Sequence, residues 1–275
     1  DVYLNQSVNF THSAFVARIT NSGDPVWIKI FPDSNYGDIS LGENGHIYFA
    51  HGSFPAGAIA PTDCWIHHLG PDGKVIWETK FISSVYPSVA YPQSLTVSRG
   101  QVILGGTFKG DIAISNSVFS ASDGLGFFVI RFDTAGHYKW IKNLGVSTYN
   151  LATISDMMAT DDGGFYLSGG LPNQTWLARY DSVGNTIWQK RTPKGDIFSS
   201  SYLSQSSEGN VYFAADFYNS PEFEGYQLRG TNDSQVILNA PNIVVGEISS
   251  SGVLRSLNQF EPSLNSVLSV AFGSN

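Results

Sequence analysis

A single cysteine, Cys64, stands in 275 residues, which excludes an internal disulfide framework and a cysteine-based zinc site. Charge is scarce as well. Only 14% of residues are Asp, Glu, Lys or Arg, with 15 basic against 23 acidic and a formal net charge of −8. Such a chain has no basic footprint, so neither nucleic acid nor an anionic membrane surface is an expected partner. No apolar run approaches the roughly 18 residues a spanning helix needs, and membrane insertion is not expected. Common catalytic signatures are missing too: there is no Gly-x-Ser-x-Gly, no His-Glu-x-x-His and no phosphate-cradling glycine loop with a lysine. The six histidines are scattered along the chain, and neighbours His67 and His68 point to opposite faces of a strand. No metal site and no cofactor is expected from them.

What the chain does hold is glycine, 28 residues of it, and 13% aromatics. Both recur. The segments NSGDPVW (21–27), PDGKVIW (71–77), TAGHYKW (134–140) and SVGNTIW (182–188) each place a glycine four residues before a tryptophan, and SSSGVLRS (249–256) keeps Gly252 with Ser256 in the tryptophan position. Each follows a short apolar run, and run, glycine turn, run is a β-hairpin signal. A second hairpin alternates with it at 39–54, 94–108, 156–170 and 202–217. Two hairpins per repeat give four strands, the unit of a β-propeller blade.

The repeat also counts out. Gly23, Gly73, Gly136, Gly184 and Gly252 are 50, 63, 48 and 68 residues apart, and the step through the joined termini is 46, so five repeats account for the chain. LSVAFGSN (268–275) reads as an inner strand and DVYLNQSVNF (1–10) as the strand that follows one. The expectation is one all-β domain over 1–275, a five-bladed propeller of four-stranded antiparallel blades closed by pairing its two ends. The first blade is shared between 1–31 and 266–275. The longer stretches 109–125 and 218–241 read as surface insertions.

FVIRFDTAGHYKWIKNLG (128–145), WLARYDSVGNTIWQKR (176–191) and GNVYFAADF (209–217) resemble the SBBP-type bacterial β-propeller repeats. That resemblance implies a bacterial secreted or cell-surface protein, and the low lysine content with abundant Ser, Asn, Gly and Tyr leans the same way. The family's name implies seven blades where five are counted here. The Asp-x-x-Gly-x-x-x-Trp spacing at Asp133–Trp140 and Asp181–Trp188 also resembles the tryptophan-docking repeat of quinoprotein propellers, although nothing matches their cofactor site. Trp27, Trp77, Trp140 and Trp188 are accordingly expected to plug the wedges between blades, with Trp65 and Trp176 in the core.

Counting seven residues back from each inner turn gives equivalent positions at the mouth of a central channel: Asp38, Gln93, Asp156, Tyr202 and Leu268. Nearby connections add Tyr36, Tyr86, Tyr91, Tyr149 and Phe198. An aromatic rim with a few carboxyls and amides suits carbohydrate or peptide recognition. The expected ligand-binding residues are Tyr36, Asp38, Tyr86, Tyr91, Gln93, Tyr149, Asp156 and Tyr202, serving a non-enzymatic binding or scaffold module whose partner is a glycan or another surface protein. The alternative is a glycoside-active enzyme with Asp38 and Asp156 as its carboxyls. The loop FPDSNYGD (31–38) holds Asp33, Asn35 and Asp38 but lacks calcium-loop order, and reads as a solvated turn.

Overall fold

The computed structural model describes residues 13–53, 63–83, 89–114, 117–147, 153–171, 174–192, 198–217, 222–229 and 242–260. The terminal strands read from the sequence, 1–10 and 268–275, lie outside them. The chain forms two compact units, Asp1–Thr148 and Tyr149–Asn275.

The first unit runs β1 (Ser13–Ile19), β2 (Pro25–Pro32), β3 (Ser34–Leu41), β4 (Ile47–Ser53), β5 (Asp63–Leu69), β6 (Val75–Ser83), β7 (Val89–Ser98), β8 (Gln101–Ile114), β9 (Ser117–Asp133) and β10 (Tyr138–Ser147). The second runs β11 (Thr153–Ala159), β12 (Phe165–Leu171), β13 (Gln174–Tyr180), β14 (Thr186–Arg191), β15 (Phe198–Gln205), β16 (Val211–Phe217), β17 (Glu222–Phe223), β18 (Tyr226–Gln227), β19 (Asn242–Ile248) and β20 (Leu254–Phe260). Every pairing is antiparallel. Four consecutive strands pair in order in β3–β6, β7–β10 and β11–β14, and β15, β16, β19 and β20 form the fourth set. β1 and β2 form a two-stranded hairpin, and a short contact of β6 with β8 joins the sets β3–β6 and β7–β10 into one sheet.

The turn chemistry follows from the glycines. In the turn after β5, the Gly73 N–H donates to the Gly70 carbonyl at 2.9 Å, and Gly73 itself sits at φ +77. A turn closed by a left-handed residue shifts the register by one, and a shift falls between His68 and Leu69. The same bond recurs at Gly23, Gly136, Gly184 and Gly252.

The tryptophans dock from one repeat onto the next. Trp27 Nε1 donates to the Pro71 carbonyl at 2.9 Å, Trp77 Nε1 to that of Thr134 at 2.8 Å, and Trp188 Nε1 to that of Ser250 at 3.0 Å. In each case the indole lies over the turn glycine two residues on. A Cβ on Gly73, Gly136 or Gly252 would come within 2.7 or 2.8 Å of the ring. Arginine joins the arrangement beside Trp27 and Trp188. Arg18 also donates to Pro71 O, at 2.9 Å, and Arg179 to Ser250 O, at 2.7 Å. Of the remaining tryptophans, Trp176 is buried, Trp140 is partly exposed, and Trp65 stays partly exposed and bonds Ser53.

Buried apolar residues fill the spaces between repeats. Val16 and Phe31 pack with Ile47, Phe49 and Leu69; Tyr166 and Leu177 pack with Phe213, Phe217 and Val244. The stretch 109–125 is not a surface insertion. β8 and β9 continue their pairing from Gly110↔Ala121 to Ile114↔Ser117, because Ile112, Ile114 and Ala121 alternate into the core and reward the extension. Of 218–241, the described part forms the small β17–β18 hairpin, which buries Phe223 and Leu228.

Candidate functional site at the first strand of each repeat

The first strand of each four-stranded set carries an irregularity near its start. Register shifts fall between Asn35 and Gly37, Pro92 and Ser94, Ile154 and Asp156, and Phe198 and Ser201. Just past the shift, Asp38 pairs with Ala50, Ser94 with Gly105, Asp156 with Ser168 and Tyr202 with Ala214. These four are the equivalent positions. Gln93 is not one of them: the turn between β7 and β8 is the two-residue Arg99–Gly100, both at positive φ, whereas the corresponding turns elsewhere hold five residues. Counting back from the glycine therefore overshoots by one, and Gln93 occupies the bulge.

Asp38 and Asp156 make the same pair of bonds. Asp38 Oδ1 accepts from the N–H of Ile39 and Oδ2 from that of Leu95, both at 2.8 Å. Asp156 Oδ1 accepts from Met157 N–H and Oδ2 from Leu203 N–H, again at 2.8 Å. Each carboxyl thus ties its own strand to the first strand of the following repeat. Burial raises the pKa of Asp38, opposed by the Leu95 and Ile39 amides and the Ser94 hydroxyl.

Tyr91 pairs with Thr107 and is partly exposed; Tyr202 is also partly exposed. Tyr36 lies at the β3 irregularity with its side chain outside the described set, as do Tyr86, Tyr149 and Leu268 as whole residues. Among the described residues no group of three His, Cys, Asp or Glu side chains is arranged to hold a metal.

The histidines are less scattered than their numbering suggests. Four of the six form two ring-to-ring contacts, His51 on β4 with His67 on β5, and His46 just before β4 with His68 on β5. His51 Nε2 faces His67 Nε2 at 2.9 Å on one face, and His46 Nδ1 faces His68 Nε2 at 2.8 Å on the other. His67 Nδ1 in turn meets Glu78 on β6 at 3.1 Å. Cross-strand diagonals bring side chains two positions apart into reach, so the β4–β5 hairpin register was the signal that could have found them. Burial lowers the pKa of His51; burial, then His51 and Lys29, push His67 down to about 3, and burial and then His46 push His68 down to about 4.

No family model matches the chain, and no curated protein matches it in sequence. Similar solved structures include a GH43 β-1,3-galactosidase with galactodeoxynojirimycin, at 10% identity and a TM-score of 0.46, covering 90% of this chain and 79% of that one. An exo-β-1,3-galactanase from Phanerochaete chrysosporium with β-1,3-galactotriose matches at 12% and 0.45, covering 92% and 55%. A protein of unknown function from Dyadobacter fermentans matches at 12% and 0.48, covering 82% and 69%. The expectation of a non-enzymatic binding or scaffold module finds no support in these three structures, two of which are glycoside hydrolases. No helix among the described residues is long and apolar enough to cross a membrane.

Proposed function

We propose that the chain is a glycoside-active enzyme with Asp38 as a carboxyl of its reaction; Asp156 holds the same position within the second unit. The observation that carries the reading is Asp38 itself: a partly buried carboxyl whose pKa is raised by desolvation while backbone amides fix its orientation. Proton donation to a glycosidic oxygen is served by a carboxyl whose pKa is raised and whose orientation is fixed. The five-bladed ring belongs to the same proposal, supported by four sets of four antiparallel strands that repeat one docking arrangement. So does an extracellular or cell-surface location, where polymeric glycans are met.

Nitrophenyl glycosides of several sugars, assayed with the wild-type chain and with Asp38→Asn and Asp156→Asn, test it. Wild-type turnover on at least one, lost by 100-fold or more in Asp38→Asn, is expected. Turnover that survives Asp38→Asn unchanged overturns the assignment of Asp38.

A further inference from the structure

The histidines of β4 and β5 carry chemistry that the glycoside reading does not use. The Gly52 carbonyl, His51, His67 and Glu78 form one line of contacts. His51 Nδ1 lies 3.1 Å from Gly52 O, the two Nε2 atoms are 2.9 Å apart, and His67 Nδ1 is 3.1 Å from Glu78 Oε2. The two imidazoles are parallel to within 5°, with centroids 5.0 Å apart, so they meet through their facing nitrogens. Both are buried, at 4% and 5% exposure, and Phe31, Phe49 and Trp65 surround them.

The hydrogen-bond count is uneven. Three contacts in this line each need one proton. Its two ends, a carbonyl and a carboxylate, are both acceptors, and two neutral imidazoles supply only two N–H groups. One contact is then acceptor against acceptor, inside a core where an unmet polar contact is costly. We propose that Glu78, His67 and His51 form a proton-uptake site that binds a third proton on mild acidification, completing all three bonds and leaving a net-neutral imidazolium–carboxylate pair. Glu78 is half exposed, with 49% of its side chain accessible, and gives the proton a route from solvent.

The groups that face this site set the balance. Burial opposes the added charge most, followed by His51 and by Lys29 on β2, which together push His67 down to about 3; the Glu78 carboxylate and the completed bonds must outweigh them. Lys80 on β6 is neutralised by Asp63 at 2.8 Å. Glu78 on β6 is the favourable charge. The second histidine contact serves as an internal control, because it joins His46, in the turn just before β4, to His68 on β5, and no carboxylate among the described residues bonds either ring. There His68 Nδ1 is buried with no partner, so a further proton on His68 completes nothing.

Nitrogen-15 NMR of the imidazoles between pH 8 and 4 in the intact chain tests the proposal. The expected result is a His67 midpoint at least one pH unit above that of His68, with both His67 nitrogens protonated after the transition. In Glu78→Gln the His67 midpoint should fall by more than one unit; its partly exposed position makes this variant mild for folding. A His67 that titrates below His68, or whose midpoint is unmoved in Glu78→Gln, overturns the proposal. If Glu78→Gln does not fold, the wild-type order of the two midpoints decides by itself. None of these readouts depends on glycoside turnover.

Discussion

Trp27 donates its indole N–H to the carbonyl of Pro71, 44 residues on, and lays its ring over Gly73 in the same turn. The relationship repeats at Trp77 with Thr134 and Gly136, and at Trp188 with Ser250 and Gly252. Glycine is required there twice over, by the left-handed backbone and by the indole that lies where a Cβ would be.

Removing either half should therefore destabilise. Trp27→Ala is expected to cost about 2–4 kcal/mol, since a large ring leaves a cavity and a hydrogen bond is lost. Gly73→Ala should cost about 1–3 kcal/mol through strain at φ +77 and the clash. The two should not add: without the indole, the added methyl meets nothing, so the double variant should be more stable than the sum predicts. Denaturant melts of the four proteins check this, and strict additivity would contradict the docking geometry.

The two carboxyls make a separate prediction about stability. Asp38→Asn and Asp156→Asn each keep one carbonyl oxygen and turn the other acceptor into a donor facing a backbone N–H. Each should lose about 1–3 kcal/mol. Asp38→Ser, too short to reach Leu95, should lose at least as much. Unchanged melting temperatures in both Asn variants would show that the strand ties contribute nothing.

His68 ties stability to pH. It occupies the position beside the tryptophan that Arg18 and Arg179 hold elsewhere, stacked on Tyr48 as Arg179 lies over Tyr166. Its pKa is about 4 in the folded protein against roughly 6.5 unfolded. A base whose pKa is lowered on folding stabilises fully above the unfolded value. That contribution is lost as pH falls from about 6.5 towards 4, here by about 1–2 kcal/mol once solvent screening is allowed for. His68→Arg carries a permanent charge and should flatten the slope between pH 6.5 and 5, a window above most carboxylate titrations. Melting curves across that window check it. An identical slope in the variant would contradict the assignment.

Much of the fold was legible because it repeats. The Gly-x-x-x-Trp spacing marked the hairpins, their turns and the docking tryptophans, since one physical requirement wrote the same residues several times. The stretch 109–125 misled because its Ser, Asn and Gly content imitates a loop while Ile112, Ile114 and Ala121 keep strand alternation beneath it. Asp38 and Asp156 were found by counting from glycines, but Gln93 was not equivalent, because one turn is shorter than the others and a linear count cannot see that. Asp38's ties to Leu95 and Ser94 were invisible for another reason: they cross from one repeat to the next, where register decides contact. The histidine contacts were missed for the same reason. His51 and His67 are 16 positions apart and become neighbours only once β4 and β5 pair.

The glycoside reading is tested most directly by incubating the purified chain with a panel of oligosaccharides and polysaccharides and detecting new reducing ends. The prediction is cleavage of at least one glycan, with activity falling as pH rises through the raised pKa of Asp38 and absent in Asp38→Asn at every pH. Cleavage of no glycan across the panel from pH 4 to 8, by a chain shown to be folded, would contradict it.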